Sequence, residues 1–385
     1  MQQLEPKLDP IVATAAARIR TAGGIALVLG DTPTLAAATA ALALARSLEQ
    51  IGKIVTVFGV ADLTERLPAL AAAFRQWREP LREFVISFDL SRSPIRELKY
   101  ERDENRLNII LSPTGSRIRR DDVEFRSGSL RYDLVITLGI PRPAAAAASL
   151  TEVPELLLEK PIINIDAGGQ NERFGDENIV GAGATPTLAE LVAALLEKLD
   201  AEPKTPEDAT VLFTALAAAT GGFNPMGTTP NAYRLAAALC EAGANPKSAA
   251  TAITLARPHA AHTLVARAIA RSKIHPESGA VTAILTAEDF EKTATDPRAL
   301  PFVLERIQWD IAAGKRTVLL WQHPHDRRIY TYAAAALDDP DSPPPSWHPL
   351  SDDRCLTAPE SSATFREAES SCAQFLSSEN PAAVE

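Results

Sequence analysis

Short apolar runs alternate with helical patterns through the first two hundred residues, and this alternation constrains the fold more than any other feature. The helical patterns lie at 10–21, 34–50 and 62–75, and the apolar runs at 24–29, 53–58, 133–139 and 162–166. Elements that follow one another at these lengths are typical of βαβ units. Because the runs are apolar throughout, they indicate strands that are covered on both faces. The sequence therefore predicts an α/β fold with a parallel sheet.

One segment interrupts the alternation. Residues 82–128 contain three stretches of period-two alternation separated by turn signals, at 83–89, 96–102 and 105–112. We interpret 82–128 as an inserted antiparallel β meander. Beyond it, helical patterns at 187–199, 206–220 and 229–242 complete a first domain that we place at 1–244. The first of these opens with Thr187-Leu-Ala-Glu190, which is typical of a capping box.

A smaller α/β module follows at 245–336. Helical patterns at 261–272 and 301–313 accompany strand patterns at 279–285, 317–321 and 328–332. From 337 to 385 the chain is rich in proline and then in serine, beginning with Leu-Asp-Asp-Pro-Asp-Ser-Pro-Pro-Pro-Ser. Because such a segment buries little apolar surface, we expect 337–385 to be a disordered tail.

Composition excludes several classes of function. The net charge of −10 argues against broad binding to duplex nucleic acid, which depends on Lys and Arg neutralising phosphates. No run approaches the roughly 18 apolar residues of a membrane span, and the N-terminus has no signal-peptide pattern, so we expect a cytoplasmic protein without membrane contact. All six histidines lie at or beyond His259, so the first 258 residues cannot build a histidine-assisted metal site.

Several marks resemble one family. Asp166 ends the apolar run 162–166, Asn171 and Phe174-Gly-Asp-Glu-Asn-Ile follow it, and Thr220-Gly-Gly-Phe and Thr229-Pro mark later turns. Over roughly 1–335, this order of motifs resembles the DHH-family phosphoesterases, which include nano-RNases, pAp phosphatases and RecJ-type exonucleases. The resemblance implies a DHH phosphoesterase-like first domain and a second domain similar to a truncated DHH-associated substrate domain.

The metal-ligating positions that the resemblance implies are occupied by residues that cannot ligate a metal. They are Gly30, Thr34 and Ala36 in the first loop, Gly139 after the second strand, Ala167 and Gly168 after Asp166, and Ala219 before Thr220. The Gly-Gly-Gly-His loop that grips substrate phosphate in active relatives is also missing. Two-metal hydrolysis needs several carboxylates and imidazoles to hold both cations. We therefore expect no catalytic residue of this type, no metal site and no cofactor.

The remaining acids have alternative roles. Asp133 begins its strand, which favours a structural role at the opposite end from the site. Asp166 can accept backbone hydrogen bonds in the turn after its strand or, alternatively, bind a metal. Asp31 is expected to cap the turn before the helix that begins near Thr34, and a relocated one-metal site through Asp31 and Asp166 stays open as an alternative.

Phosphate binding needs fewer groups than catalysis. Gly168 and Gly169 could present backbone N–H groups to an anion, with the amide of Asn171 and the guanidinium of Arg173 beside them. The alternative is a flexible turn with a solvated arginine. The ligand-binding candidates are therefore Asp166, Gly169, Asn171 and Arg173.

Two functions follow from these motifs. The first is a catalytically inactive pseudoenzyme that binds a nucleotide or short phosphoester or acts as an interaction scaffold. The second is an active phosphoesterase that cleaves short oligonucleotides or pAp through a rearranged Mn²⁺ or Mg²⁺ site. A protein–protein module that uses the meander or the tail is a third interpretation. The resemblance also makes a homodimer plausible.

Overall fold

The computed structural model describes most of the chain in twelve segments. They are residues 6–66, 68–77, 80–91, 94–115, 118–168, 171–181, 186–223, 228–256, 259–313, 315–334, 347–349 and 355–377. None of the helices in these segments is long and apolar enough to cross a membrane.

The first domain is built on a five-stranded parallel sheet. Its strand order is β2-β1-β7-β8-β9, with β1 Gly24–Leu29, β2 Ile54–Phe58, β7 Leu134–Leu138, β8 Ile162–Asp166 and β9 Glu177–Val180. The parallel sheet that the sequence predicts is therefore confirmed. Alternate residues of β1 enter different cores, since Ile25 and Leu27 lie in one apolar cluster and Ala26 and Val28 in another. Both faces of the sheet are covered, which is why most residues of its strands are apolar.

Nine helices of the described segments accompany this sheet. They are α1 Asp9–Thr21, α2 Leu35–Gln50, α3 Ala61–Arg66, α4 Pro68–Ala73, α5 Leu156–Glu159, α6 Leu188–Leu199, α7 Pro206–Ala219, α8 Pro230–Glu241 and α9 Pro246–Leu255. The helix predicted at 62–75 corresponds to α3 and α4, and Leu67 between them lies outside the described residues.

The first domain extends beyond the predicted boundary at 244. Ala249 of α9 lies in the main core of this domain, and the N–H of Asn245 donates to Oγ1 of Thr210 in α7 at 2.9 Å. The sequence shows a helix stop at Gly243, and this stop does not end the domain because α9 folds back onto α7. We therefore place α9 in the first domain.

The insertion is antiparallel but is not a meander. Its strands are β3 Arg82–Phe88, β4 Ile95–Asp103, β5 Arg106–Pro113 and β6 Val123–Leu130. β3 pairs with β6, and β4 pairs with β5. A meander would pair each strand with the next, whereas this pairing makes two two-stranded ribbons, an inner one (β3 and β6) and an outer one (β4 and β5). We call them together the β arm.

The second domain contains a mixed sheet of six strands in the order β10-β11-β12-β13-β15-β14. The strands are β10 Lys273–Ile274, β11 Val281–Leu285, β12 Thr317–Gln322, β13 Ile329–Ala334, β14 His348–Pro349 and β15 Cys355–Thr357. Its helices are α10 His259–Ala270, α11 Ala287–Thr293, α12 Leu300–Asp310 and α13 Phe365–Ser377. Only β11 and β12 pair in parallel among these strands.

The prediction of a disordered tail at 337–385 is wrong for 355–377. There, β15 pairs with β13, and α13 buries Ala368, Cys372 and Phe375 against the sheet. These residues recur at helical spacing within the serine-rich sequence, so they form one apolar face of the helix. The average composition of the segment does not reveal this face. Residues 337–346, 350–354 and 378–385 of the predicted tail lie outside the described residues.

Candidate functional site

Three of the motif positions lie together at the carboxyl edge of the first sheet. In the parallel register, Leu29 of β1 pairs with Leu138 of β7, and Leu138 pairs with Ile165 of β8. Gly30, Gly139 and Asp166, the residues that come next in each strand or loop, are therefore neighbours. The carboxyl edge is where open α/β sheets bind ligands, so it is the candidate functional site.

The Asp166 carboxylate is hydrogen-bonded within its own loop. The N–H of Gly168 donates to Oδ1 at 3.2 Å, and Nδ2 of Asn171 donates to Oδ2 at 2.8 Å. Asp166 is 7% exposed. The predicted backbone hydrogen bond in the turn is thus confirmed, and both carboxylate oxygens have donors from the protein.

Asn171 connects this loop to two strands. Its Nδ2 also donates to the carbonyl of Ile140 at 3.0 Å, and its Oδ1 accepts from Nδ2 of Asn164 at 2.8 Å. Oδ1 of Asn164 in turn accepts from Oγ1 of Thr137 at 3.0 Å. Asn164 and Thr137 are fully buried and were missed in the sequence, where the signal was one asparagine inside an apolar strand run.

Asp31 has a different role from the predicted one. Its Oδ1 accepts from the N–H of Ser149 at 2.8 Å and from Oγ of Ser149 at 2.9 Å, and its N–H donates to the carbonyl of Ala145 at 2.9 Å. The carboxylate therefore fastens the loop that follows β7, and it does not cap the turn before α2. Ser149 lies 118 residues away, so local spacing could not reveal this pair.

The loop held by Asp31 covers the end of β1. A Cβ atom added to Gly30 would lie 3.2 Å from the carbonyl oxygen of Ala145. This is tighter than an ordinary contact, so the loop would have to give by a few tenths of an ångström to admit a side chain at position 30.

Two helices begin next to Gly139. Gly139 is exposed and has a φ of +63°, and a Cβ atom there would lie 3.5 Å from Cβ of Ala37 in α2 and 3.6 Å from Cδ2 of Leu188 in α6. Thr34 caps α2 by accepting from the N–H of Ala37 at 3.1 Å. The first turns of α2 and α6 therefore meet at the carboxyl edge.

A buried glutamate joins the starts of α6 and α8. Oε2 of Glu190 accepts from the N–H and from Oγ1 of Thr187, at 2.7 and 2.9 Å, which confirms the predicted capping box. Oε1 of Glu190 accepts from Oγ1 of Thr229, the cap of α8, at 2.9 Å. Glu190 therefore already neutralises part of the positive potential at the start of α6.

The other motif positions do not collect metal ligands. Ala36 lies in the first turn of α2, Ala167 packs at the rim of the main core, and Ala219 is the last residue of α7. In the twelve described segments, no three His, Cys, Asp or Glu side chains are grouped so that they could hold a metal ion. Gly169 lies outside the described residues.

Arg173 lines a different pocket from the other ligand-binding candidates. Its backbone N–H donates to Oδ1 of Asn171 at 2.7 Å, and its φ is +52°. The residue itself lines an open pocket of about 420 Å³ together with Asp176, Glu177 and residues of α1. Glu177 is the first residue of β9, so this pocket lies at the amino end of the strands. The structure brings Asp166 and Asn171 together and places Arg173 beside two acidic residues.

Asp133 lies at that amino end as well. Its Oδ2 accepts from the N–H groups of Gly23 and Gly24 at 2.8 and 2.9 Å. These backbone donors hold the pKa of the Asp133 carboxyl below its usual value. The structural role that the sequence favours is confirmed.

Comparison with known proteins identifies the fold. No family model matches the chain, and no curated protein matches it. Among solved structures, an exopolyphosphatase-related protein from Bacteroides fragilis is similar over 95% of this chain and 95% of its own, with a TM-score of 0.63 and 14% identity. The chain has a DHH phosphoesterase-like fold. At this identity, the likeness concerns the fold alone.

Two further solved structures match the chain with lower structural similarity. A family II inorganic pyrophosphatase described as putative, from Methanococcus jannaschii, has a TM-score of 0.36 and 12% identity over 83% of this chain and 90% of its own. RecJ from Thermus thermophilus, in complex with Mn²⁺, has a TM-score of 0.40 and 14% identity over 98% of this chain and 55% of its own. Both scores are below 0.5, and no argument rests on them.

Proposed function

We propose that this DHH-like protein binds a small phosphorylated ligand at the carboxyl edge of its first sheet and does not hydrolyse it by two-metal chemistry. The observation that carries the proposal is the start of α2 beside the exposed Gly139, at an edge where the carboxylates of Asp31 and Asp166 already have protein donors. An anion meets few competing negative charges there.

The first turn of α2 supplies the attraction. The first N–H groups of a helix have no partner within the helix, and the aligned peptide dipoles place about half a positive charge at this end. Thr34 accepts from Ala37, which leaves the N–H groups of Leu35 and Ala36 without a partner in the described segments. The first turn of α2 contains no acidic residue. Helix starts of this kind bind phosphate groups.

Among the described residues, this edge offers no group of side chains that could hold two cations. Metal-assisted phosphoester hydrolysis needs carboxylates whose oxygens face the metals and remain free to coordinate them. Here Oδ1 of Asp31 accepts two hydrogen bonds from Ser149, and each oxygen of Asp166 accepts one from its own loop. Binding without this hydrolysis is the function that these contacts support best.

The ligand class follows from the anion site and the fold. The Bacteroides fragilis protein of similar fold is described as exopolyphosphatase-related, and this description agrees with a phosphorylated ligand. A terminal phosphate, as in a mononucleotide or pAp, is compact enough to contact the N–H groups of a single helix turn. Because Glu190 already lies at the start of α6, α2 provides the larger share of the attraction.

A change of charge at the start of α2 tests the proposed phosphate site. Thr34→Asp keeps a good helix cap and adds a negative charge where the phosphate would bind. Asn245→Asp makes the same charge change at the start of α9, where the side-chain oxygen of Asn245 already accepts from the N–H of Ser248. We expect calorimetric titration with pAp and with inorganic phosphate to give dissociation constants at least about tenfold weaker for Thr34→Asp than for the wild type.

Asn245→Asp is the control for this experiment. Asn245→Asp is expected to bind like the wild type. Equal affinities in the wild type and Thr34→Asp, or no binding of either ligand to the wild type, would refute a phosphate site at α2.

A further inference from the structure

The exposed apolar residues of this chain are concentrated on the β arm. Thirteen large hydrophobic residues are exposed in the described part of the molecule, and eight of them lie between Phe84 and Phe125. Apolar patches of this size on a soluble chain are typical of interaction surfaces.

The outer ribbon has one apolar face. In its register, Leu98 lies opposite Leu111, Tyr100 opposite Ile109, and Arg102 opposite Leu107. Residues that are directly opposite share a face, and so do residues two apart, so five of these six form a continuous apolar stripe. Leu98 is 62% exposed, Tyr100 73% and Leu107 63%.

The reverse face of the outer ribbon is polar. It carries Glu97, Lys99 and Glu101 on β4 and Arg106 and Asn108 on β5, with Ile110 as its one large apolar member. In a ribbon with one apolar and one polar face, the apolar face normally packs against another apolar surface and the polar face contacts water.

The inner ribbon repeats the pattern. Ile86 lies opposite Phe125 and Phe88 opposite Val123, and Phe84 is on the same face. The rings of Phe84 and Phe125 stack with centroids 5.8 Å apart, yet these residues remain 70% and 65% exposed. The two phenylalanines pack on each other, and their outer surfaces are uncovered.

A two-stranded ribbon needs support from another surface. An isolated hairpin is marginally stable in water, because two strands alone bury too little apolar area. No described element of this chain covers the apolar faces of the arm, as the exposure of Phe84, Tyr100 and Leu107 shows. A surface that covers these faces would therefore belong to another molecule or to a part of the chain outside the described segments.

Charge favours a second copy of this chain as the occupant. Residues 82–130 contain ten basic and nine acidic residues, so the arm is almost neutral, whereas the rest of the chain has a net charge of −11. A strongly acidic or basic partner would gain little electrostatic attraction from a surface with nearly equal numbers of positive and negative charges. Two copies can bring their neutral arms together while their acidic bodies stay apart.

The size of the arm is sufficient for a stable contact. With a rise of about 3.4 Å per residue and strands about 4.8 Å apart, the two ribbon faces that carry these apolar residues together measure about 500 Å² per copy. Two copies packed face to face would bury about 1,000 Å² or more, which reaches the range of specific interfaces.

We propose that two copies of this chain dimerise by packing the apolar faces of their β arms against each other around a two-fold axis. Each copy supplies the surface that the other needs, as an isologous contact requires. The charges along β4, from Arg96 to Asp103, oppose the alternative of adding strands edge to edge. This inference is independent of the proposed phosphate site.

Two neighbouring residues provide a matched test. Leu107→Glu places a carboxylate on the apolar face, and Asn108→Glu places the same side chain on the reverse face one residue later. Both positions are exposed, so neither substitution removes a buried side chain from the monomer. Sedimentation velocity of the full chain is expected to show a dimer for the wild type and for Asn108→Glu.

Leu107→Glu is expected to weaken dimerisation at least about a hundredfold, because it buries a charge against apolar surface. Far-UV circular dichroism checks that the variant keeps its secondary structure. A wild type that remains monomeric up to about 100 μM, a Leu107→Glu variant as dimeric as the wild type, or an Asn108→Glu variant as monomeric as Leu107→Glu would each overturn the proposal.

Discussion

The acidic residues at the carboxyl edge act as hydrogen-bond acceptors for neutral groups of the protein. Asp166 holds its own turn through Gly168 and Asn171, and Asp31 holds the loop after β7 through Ser149. A carboxylate that accepts from backbone N–H, amide and hydroxyl donors is satisfied without a cation. Both carboxylates therefore have hydrogen-bond donors from the protein itself.

Substitution of Asp166 tests this structural role. Asp166→Ala leaves the Gly168 N–H and one Asn171 donor without their acceptor at a site that is 7% exposed. We expect the free energy of unfolding to fall by about 1–3 kcal/mol in urea denaturation. An unchanged midpoint would mean that these hydrogen bonds contribute nothing to stability.

The lowered pKa of Asp133 predicts that the free energy of unfolding depends on pH in the acidic range. Its pKa is lowered in the folded state by the backbone N–H groups of Gly24 and Gly23. The stabilisation is therefore present above the unfolded pKa, near 3.8, and is lost as pH falls through the lower folded pKa. Asp133→Asn is expected to lose less stability than the wild type between about pH 5 and about pH 2.

The control for this experiment is Asp200→Asn. The Asp200 side chain is 95% exposed, and its backbone is left-handed, a conformation that asparagine also tolerates. It is expected to follow the wild type across the same pH range in denaturant unfolding. If Asp133→Asn also follows the wild type, the two backbone hydrogen bonds do not stabilise the folded state through this carboxylate.

At the scale of elements, one buried carboxylate holds two helices of the second domain together. Asp289 in α11 is 1% exposed and pairs with Arg267 in α10 and with Arg271 just beyond its end. Burial raises its pKa, but hydrogen bonds from Thr286, Arg271 and Arg267 outweigh this effect and lower it. The contact between α10 and α11 therefore depends on a charged group.

Asp289→Ala is expected to lower the free energy of unfolding by about 1–3 kcal/mol, because it leaves the Thr286 N–H and two partly exposed arginines without their acceptor. Glu288→Ala, one residue earlier, removes an exposed carboxylate paired with Lys292 and is expected to change little. Thermal unfolding of both variants measures the difference. Equal melting temperatures would contradict the role of Asp289.

The elements that sequence patterns could not predict are those that depend on distant partners. The β arm was predicted as antiparallel from period-two alternation, but alternation does not tell which strand pairs with which, and β3 joins β6 only after the whole outer ribbon has intervened in the chain. α13 was missed because serines and other polar residues separate its apolar residues in the sequence. Their packing on β12 and β13 shows that they form one apolar face of the helix.

At the scale of the whole molecule, the parallel sheet was predictable because four of its five strands are short, mostly apolar runs bounded by local turn signals; β9, which begins with Glu177 and Asn178, was not predicted. The candidate site was predictable in position, since Gly30, Gly139 and Asp166 lie at the ends of strands of that sheet. Its contacts were not, because the pairs Asp31 with Ser149 and Glu190 with Thr229 join residues 118 and 39 positions apart.

Our central expectation for the whole molecule is that the carboxyl edge of the first sheet binds phosphate without binding a metal ion. Calorimetric titration of the purified full chain with Mn²⁺ tests this most directly, followed by titration with pAp in the presence of a chelator. The account predicts no stoichiometric binding of Mn²⁺, chelator-resistant binding of pAp and no hydrolysis. Stoichiometric Mn²⁺ binding together with hydrolysis of pAp that Asp166→Ala abolishes would contradict it.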